Sequence, residues 1–157
     1  MLIAALAALL TLSSALVVNP GAAHAATTYP CGTAWPGVYG TIGAHYYDPG
    51  IGEGLGCPTN WEYDGWGGNR EQDFQGGFMH WEGSINRAFA TWGEIGRLWR
   101  TRCGGLNGRL GPPTSDEHDA YWNGRYVRKS NFQNGWIAWD KEYHTLTAAD
   151  RWGNYPC

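Results

Sequence analysis

The sequence predicts an α+β fold that is mainly β, made of two tandem, pseudo-symmetric units that each combine a short helix with a β-hairpin. Three observations predict this fold. One order of short motifs occurs twice, aromatic residues and glycine (10 Trp, 9 Tyr, 24 Gly) dominate over sparse aliphatic ones, and four cysteines are available as disulfide staples. Rings must therefore form much of the core, and units of this size must bury their apolar faces against one another.

The duplication is visible as pairs of motifs in one unbroken order. Leu-Gly-x-Pro-Thr occurs at 55–59 and 110–114, and Phe-Gln-Gly/Asn-Gly at 74–77 and 132–135. The remaining pairs are Ile42 with Ile95, Trp81 with Trp139, and Trp92 with Trp152. Because the same motifs occur twice in the same order along the chain, they indicate an internal repeat.

Each unit begins with a helix signal. In the second copy Ile95, Leu98 and Trp99 have helical spacing, and Cys103-Gly104-Gly105 ends the helix. In the first copy Ile42, Tyr46 and Tyr47 precede a stop at Asp48-Pro49-Gly50, which predicts a shorter helix.

A Leu-Gly turn and a hairpin complete the unit. The glycine of Leu-Gly-x-Pro permits a positive φ, so the chain reverses with its leucine inside. Asn134-Gly135 then predicts a type I′ turn between two strands, with Gly76-Gly77 in its place in the first copy. The recurring rings, Phe74, Phe132, Trp81 and Trp139, are assigned to the core.

Residues 1–25 predict a signal peptide, because an uncharged apolar run ends at Ala23-His24-Ala25. The remaining chain divides into an N-terminal segment (26–39) and two units (40–93 and 94–157). Eleven basic and 14 acidic residues, for a net charge of −3, are interspersed without a basic stripe, which argues against nucleic acid and, after cleavage, a membrane as partners.

Four cysteines in a small exported chain predict two disulfides. Three pairings are open. The preferred pairing joins Cys31 to Cys157 and Cys57 to Cys103. It would connect the two ends of the mature chain and link the two units. The cysteine spacings match neither a metal site nor a cofactor site, so neither is expected.

The paired Leu-Gly-x-Pro-Thr and Phe-Gln-x-Gly motifs resemble the LGFP repeat of secreted actinobacterial proteins over residues 40–153. The sequence departs from the name-giving Phe, with Cys57 in the first copy and Pro112 in the second. The resemblance implies a propeller-like arrangement and a non-catalytic, extracellular or cell-wall module. Such a module would bind wall polysaccharide, arabinogalactan-like or associated with peptidoglycan, and act beside an envelope enzyme.

Sugars bind to flat aromatic faces with planar polar groups at the edge. The rings that do not recur are the candidates for this contact, namely Trp61, Trp66 and Trp122. The candidate edge groups are Asn69, Arg70, Gln72 and Arg125.

Two other functions remain open at this point. A secreted inhibitor of a protease or lysozyme would expose a rigid loop such as 105–115. A small glycan hydrolase would need two facing carboxylates. The motifs of a nucleophile elbow, a zinc-protease helix or a phosphate loop do not occur in the sequence, so an enzyme is not expected.

Overall fold

A computed structural model describes residues 26–157, with the side chain of Trp66 left out. The predicted signal peptide, residues 1–25, lies outside this range. Within the range, no helix has the length and apolar character needed to cross a bilayer.

The described chain contains three short helices and eight strands. The helices are α1 (Gly40–Tyr46), α2 (Ile51–Leu55) and α3 (Gly93–Thr101), and 3-10 turns lie at Trp66–Gly68 and Gly105–Asn107. The strands are β1 (Tyr63–Asp64), β2 (Arg70–Asp73), β3 (Gly77–Glu82), β4 (Arg87–Trp92), β5 (His118–Trp122), β6 (Arg125–Phe132), β7 (Gly135–Asp140) and β8 (Thr145–Asp150).

The strands form two antiparallel sheets of four, in the orders β1-β2-β3-β4 and β5-β6-β7-β8. The mainly β character is confirmed, and each sheet holds two strands more than the predicted hairpin. Both sheets are open, so the described residues show no propeller-like closure.

The Leu-Gly turns fold as predicted. Leu55 and Leu110 are fully buried, and Gly56 and Gly111 have φ of 70° and 69°. After each turn the chain is held to the next hairpin by the same backbone bonds, of which Gly76 N–H to Leu55 carbonyl (2.7 Å) and its counterpart on Leu110 (2.9 Å) are examples. The positive φ that only glycine adopts cheaply explains this motif.

The predicted Asn134-Gly135 turn is wrong. Phe132 pairs directly with Gly135, so the β6–β7 loop consists of Gln133 and Asn134, and Gly135 has no positive φ. Gly135 begins β7 instead, where a Cβ would lie 2.7 Å from Leu110 Cδ2 and 2.8 Å from Asp150 Cα. Glycine is required here by close packing.

The register also corrects one motif pair. Trp92 lies opposite Gly77 in the first sheet, and Asp150 lies opposite Gly135 in the second. The counterpart of Trp92 is therefore Asp150, and Trp152 lies beyond the strand.

Helices α1 and α3 each contribute an aromatic side chain that hydrogen-bonds the glycine of the next Leu-Gly turn. Tyr46 in α1 stacks on Phe74 and donates its hydroxyl to the carbonyl of Gly56 at 3.1 Å. Trp99 in α3 stacks on Phe132 and donates its indole N–H to the carbonyl of Gly111 at 3.0 Å. Aromatic side chains with a polar end suit this position because they fill the core and satisfy a buried carbonyl at once.

Helix α3 lies between the two sheets. Trp99 is stacked on Phe78 of the first sheet (4.6 Å between centroids) and on Phe132 of the second (5.7 Å). Helices α1 and α2 pack on the opposite face of the first sheet, against Met79 and Ala90. Of the rings assigned to the core, Phe74 and Phe132 are buried, whereas Trp81 and Trp139 are only half-buried at its margin.

The preferred disulfide pairing is wrong, because the bonds are Cys31–Cys57 and Cys103–Cys157. The first fixes the N-terminal segment to the first Leu-Gly turn, and the second fixes the C-terminal tail to the end of α3. The Cα atoms of the two pairs are 5.8 and 4.8 Å apart, within the usual range for a disulfide. The helix between the sheets, and not a disulfide, joins the two halves.

We expect reduction to destabilise the protein by about 3 to 4 kcal/mol for each disulfide, because the bonds close loops of 26 and 54 residues in the unfolded chain. The measurement is thermal unfolding with and without reductant, with Cys31→Ser/Cys57→Ser and Cys103→Ser/Cys157→Ser double variants to separate the bonds. The longer loop predicts the larger loss for the second pair, and equal melting of oxidised and reduced protein would contradict the prediction.

An imidazole connects the two units on the other side. His45 in α1 places Nδ1 2.7 Å from an Asp48 oxygen and Nε2 2.8 Å from Asp116 Oδ1, in the segment that leads to β5. Asp116 Oδ1 also accepts the N–H of Ala90 at 2.7 Å. The hydrogen bond to Asp116 raises the pKa of His45 above 6.5; burial opposes this rise, and Asp48 adds to it.

Because the folded pKa of His45 is raised, its stabilising effect is complete below the unfolded pKa of about 6.5 and is lost as the pH rises through the folded value. We expect the stability difference between wild type and His45→Gln to shrink over that rise, measured by urea unfolding across a pH series. His144→Asn, at an exposed histidine, is the control and should keep the wild-type pH profile. An unchanged pH profile in His45→Gln would rule out this contribution.

Candidate functional site

A pocket of about 230 Å³ lies on the face of the second sheet that points away from α3. The strand alternation sends Arg125 and Val127 of β6 and Ala138 and Asp140 of β7 to this face. The sheet curls, so that Trp122 from one edge strand lines the same pocket as residues of the opposite edge. The other lining residues are Asn123, Thr145 and Thr147.

The β5–β6 turn sets the position of the pocket wall. Asn123 and Gly124 have φ of 49° and 82°, and Trp122 pairs with Arg125 across them. An Asn-Gly pair with both φ positive is the preferred two-residue hairpin turn. The Asn-Gly turn predicted at Asn134-Gly135 is therefore found at Asn123-Gly124 instead. This turn places Trp122 opposite Arg125 at the wall of the pocket.

The polar part of the pocket is the carboxylate of Asp140, whose position is fixed by hydrogen bonds. Asp140 Oδ1 accepts the backbone N–H groups of Glu142 and Tyr143 at 3.0 and 3.2 Å, and Oδ2 lies 3.3 Å from Arg125. Burial acts to raise the pKa of Asp140, but the hydrogen bonds from Tyr143, Arg125 and Glu142 outweigh it and the pKa is lowered. Asp140 is thus an ionised acceptor, and its charge is balanced by Arg125.

The aromatic part consists of rings above a small apolar floor. Trp122 is 37% exposed, and its ring centroid lies 5.3 Å from that of Trp136. Arg125 lies 4.0 Å from the ring centroid of Tyr143. Val127 and Ala138 are buried beneath these groups. An indole face beside fixed donors and acceptors matches the apolar face and hydroxyl edge of a sugar ring.

The pocket contains a single carboxylate among its lining residues, that of Asp140. Most glycoside hydrolases use two carboxyl groups on either side of the scissile bond, one of them with a raised pKa as the general acid. Asp140 has a lowered pKa and is bound to Arg125. The lining residues therefore lack both the second carboxyl group and the raised pKa that this chemistry uses.

The structure brings Trp122 and Arg125 together and places the other predicted residues elsewhere. Trp61 is 51% exposed and packs edge-on against Tyr29 of the N-terminal segment at 6.2 Å. The side chain of Trp66 lies outside the described part of the structure. Trp61 is therefore a separate surface ring.

The predicted polar residues of the first sheet are occupied inside the protein. Gln72 is fully buried and donates to the carbonyls of Gly37 and Asn60, both at 2.9 Å, so a ligand at the surface cannot reach it. Asn69 is 7% exposed and donates to Glu82. These side chains stabilise the sheet.

Arg70 belongs to a clamp that occurs in both sheets. Arg70 binds Glu62 and Asp64, and Arg128 binds Glu117 and Asp119 in the same way. In each clamp the arginine also donates to the carbonyl of the glutamate. A recurring scaffold contact explains the presence of Arg70.

Sequence reasoning missed Trp136, Asp140, Thr145 and Thr147. Trp136, Asp140 and the two threonines share one face by strand alternation, but β8 was not predicted as a strand. The alternation of Thr145-Leu146-Thr147 with a half-buried leucine was the available signal. The loop suggested for an inhibitor does not project freely, because Leu110, Gly111 and Pro113 are buried.

Residues 55–105 match the model of a family described as the LGFP repeat. The match begins at the first Leu-Gly turn, covers the first sheet and ends just after α3. No curated protein matches the chain.

Proposed function

We propose that this chain, which carries an LGFP repeat at residues 55–105, is an exported cell-envelope module that binds wall polysaccharide in the pocket of its second sheet. The observation that carries the proposal is the placement of Trp122 beside the neutralised Arg125–Asp140 pair. Two disulfides support an oxidising, extracytoplasmic location. The single carboxylate of the pocket supports a non-catalytic role.

The pocket chemistry favours a neutral sugar. Arg125 and Asp140 balance one another, so the pocket presents donors and acceptors without net charge. Its volume of about 230 Å³ is below the range of about 300–1,000 Å³ typical of sites for drug-sized ligands. One sugar ring of a chain, such as a residue of arabinogalactan or of a peptidoglycan-associated glycan, is the ligand that fits.

A single-ring contact makes each site weak, because a small ligand has few atoms to contribute to binding. Retention on a wall therefore depends on many copies of the sugar in one insoluble polymer. This suits a module that holds itself, or an envelope enzyme beside it, at the wall.

We also propose that the two units arose by internal duplication. The second sheet carries the Leu-Gly turn, the arginine clamp and the ring-locked glycine carbonyl of the first. In the first sheet, α3 covers the face that holds the pocket in the second sheet, with Arg100 over Phe78. The pocket is open because the second sheet is not followed by such a helix among the described residues.

Co-sedimentation of the purified chain with arabinogalactan-bearing wall, peptidoglycan and an unrelated insoluble glucan tests the proposal. We expect binding to a wall fraction, and a loss of about fivefold for Trp122→Ala, because a stacked ring contributes on the order of 1 kcal/mol. Arg125→Gln should weaken binding as well, since Asp140 would be left without its partner.

Trp61→Ala is the matched control, because it removes an exposed tryptophan far from the pocket. Its binding should equal that of wild type, and thermal melting must show all variants folded. A wild type that sediments with no wall fraction, or folded Trp122→Ala that binds fully, would overturn the proposal.

A further inference from the structure

We propose that copies of this chain associate head to tail, with Trp136 of one copy inserted against helix α1 of the next. The two surfaces concerned are the two ends of the molecule. Within the described part of the chain, each lacks a contact that its counterpart in the other unit makes. The inference does not rest on the proposed sugar binding, although Trp136 lies on the same face of the second sheet as the pocket.

The contact that serves as the template joins the first sheet to α3. Phe78 of β3 stacks on Trp99, and Arg100 lies over the same ring, with its Cζ 4.5 Å from the centroid. Gly96 makes this approach possible, because a Cβ there would be 3.5 Å from Phe78 Cε1. A ring from the sheet thus fills a groove beside a helix glycine.

At the end of the molecule formed by the second sheet, Trp136 occupies the position of Phe78. Phe78 pairs with Thr91, and Trp136 pairs with Ala149, each next to the glycine that begins its strand. Trp136 is half-buried, and within the described chain its ring contacts come from its own sheet. The ring centroid of Trp122 lies 5.3 Å from that of Trp136, and Lys129 Nζ lies 5.1 Å from the same centroid. Trp136 thus occupies the position at which its counterpart in the first sheet, Phe78, is covered by α3.

At the other end, α1 presents the corresponding groove. Gly43 in α1 and Gly96 in α3 both approach the residue before the N-cap, Val38 and Thr91, at 3.1 Å. At Gly96 the third neighbour is Phe78, whereas at Gly43 all three nearest atoms belong to Val38. Among residues 26–157, the position that the ring of Phe78 fills on α3 is vacant on α1.

That vacancy is a mainly apolar pocket of about 200 Å³. Its lining residues are Gly40, Gly43, Ala44 and Tyr47 of the α1 region, Val38 and Tyr39 before the helix, and Ala26 and Thr28 of the N-terminal segment. The hydroxyl of Tyr47 is held by Thr28 at 3.1 Å. A planar indole is the kind of group that a narrow apolar groove accepts.

The charges favour α1 of another copy over a helix like α3. In the first sheet Glu71 and Asp73 face Arg100. Lys129 stands at the position of Glu71 in the second sheet and would repel an arginine, but the residue of α1 that corresponds to Arg100 is the neutral Tyr47. The ring and the groove lie on opposite ends of one chain, so the contact is heterologous and generates open chains or rings. Its small area makes it weak.

Sedimentation velocity of the purified chain over a concentration series up to the millimolar range is the test. We expect association beyond a dimer that increases with concentration. Trp136→Lys, which removes the ring, and Ala44→Arg, which fills the groove at an exposed helix position, should each be monomeric. Tyr126→Lys is the control, since it adds the same charge at an 83% exposed ring elsewhere on the sheet and should associate like wild type.

An equimolar mixture of Trp136→Lys and Ala44→Arg separates this geometry from others. The first variant keeps its groove and the second keeps its ring, so the mixture should form one-to-one dimers and nothing larger. A wild type that stays monomeric throughout the series, as it would if residues before Ala26 filled the groove, overturns the proposal. So does a mixture that stays monomeric, or a folded single variant that associates like wild type.

Discussion

Replacing Trp99 with alanine is expected to lower the free energy of unfolding by about 3 to 5 kcal/mol, the cost of a large-to-small change in a packed core. Trp99 is 1% exposed and is stacked between Phe78 of one sheet and Phe132 of the other. Its loss removes both stacks and leaves the Gly111 carbonyl without its N–H donor. The measurement is urea unfolding followed by far-UV circular dichroism.

Trp61→Ala provides the control for this prediction, because Trp61 is half exposed and should cost less than about 1 kcal/mol. Tyr46→Phe isolates the polar part of the interaction. It removes only the hydroxyl that bonds Gly56 and should cost about 1 kcal/mol. If Trp99→Ala unfolds at the same urea concentration as Trp61→Ala, α3 is not the element that joins the sheets.

The features predictable from sequence are those set by neighbours along the chain. The spacing of Ile95, Leu98 and Trp99 predicted the buried face of α3, since helical periodicity is a local signal. The Leu-Gly turns were predictable for a similar reason, because a positive φ at Gly56 and Gly111 depends on the residue type. Duplicated motifs also predicted that both sheets would carry the same turn contacts.

Features that depend on distant segments were not predictable. The disulfide pairing follows from where the N-terminal segment and the tail pack, and no cysteine spacing encodes that path. The sequence around Gly135 does not show whether this glycine is needed for a positive φ in a turn or for close packing against a neighbouring strand.

The candidate site was half predictable for the same physical reason. Trp122 and Arg125 flank a recognisable Asn-Gly turn, so their proximity is local. Asp140 and Thr147 reach the pocket only because β7 and β8 extend the sheet and the sheet curls. Conversely, Gln72 has the composition of a sugar-binding residue, yet its burial follows from the N-terminal segment, whose Gly37 carbonyl accepts its N–H.

Gly135→Ala is expected to destabilise the protein by about 3 kcal/mol, at the upper end of the usual cost of overpacking, and Gly124→Ala by only about 1 kcal/mol. At Gly135 the new methyl group would overlap the carbonyl oxygen of Ala149 and crowd Leu110, both fixed parts of the core, so β8 must shift. At Gly124 the methyl group meets open space and the cost is that of a positive φ alone. Urea unfolding of the two variants distinguishes the two roles of glycine, because one substitution and one residue type are compared in the same sheet. If Gly124→Ala proves the more damaging, or Gly135→Ala is neutral, the strand register that places Gly135 opposite Asp150 is incorrect.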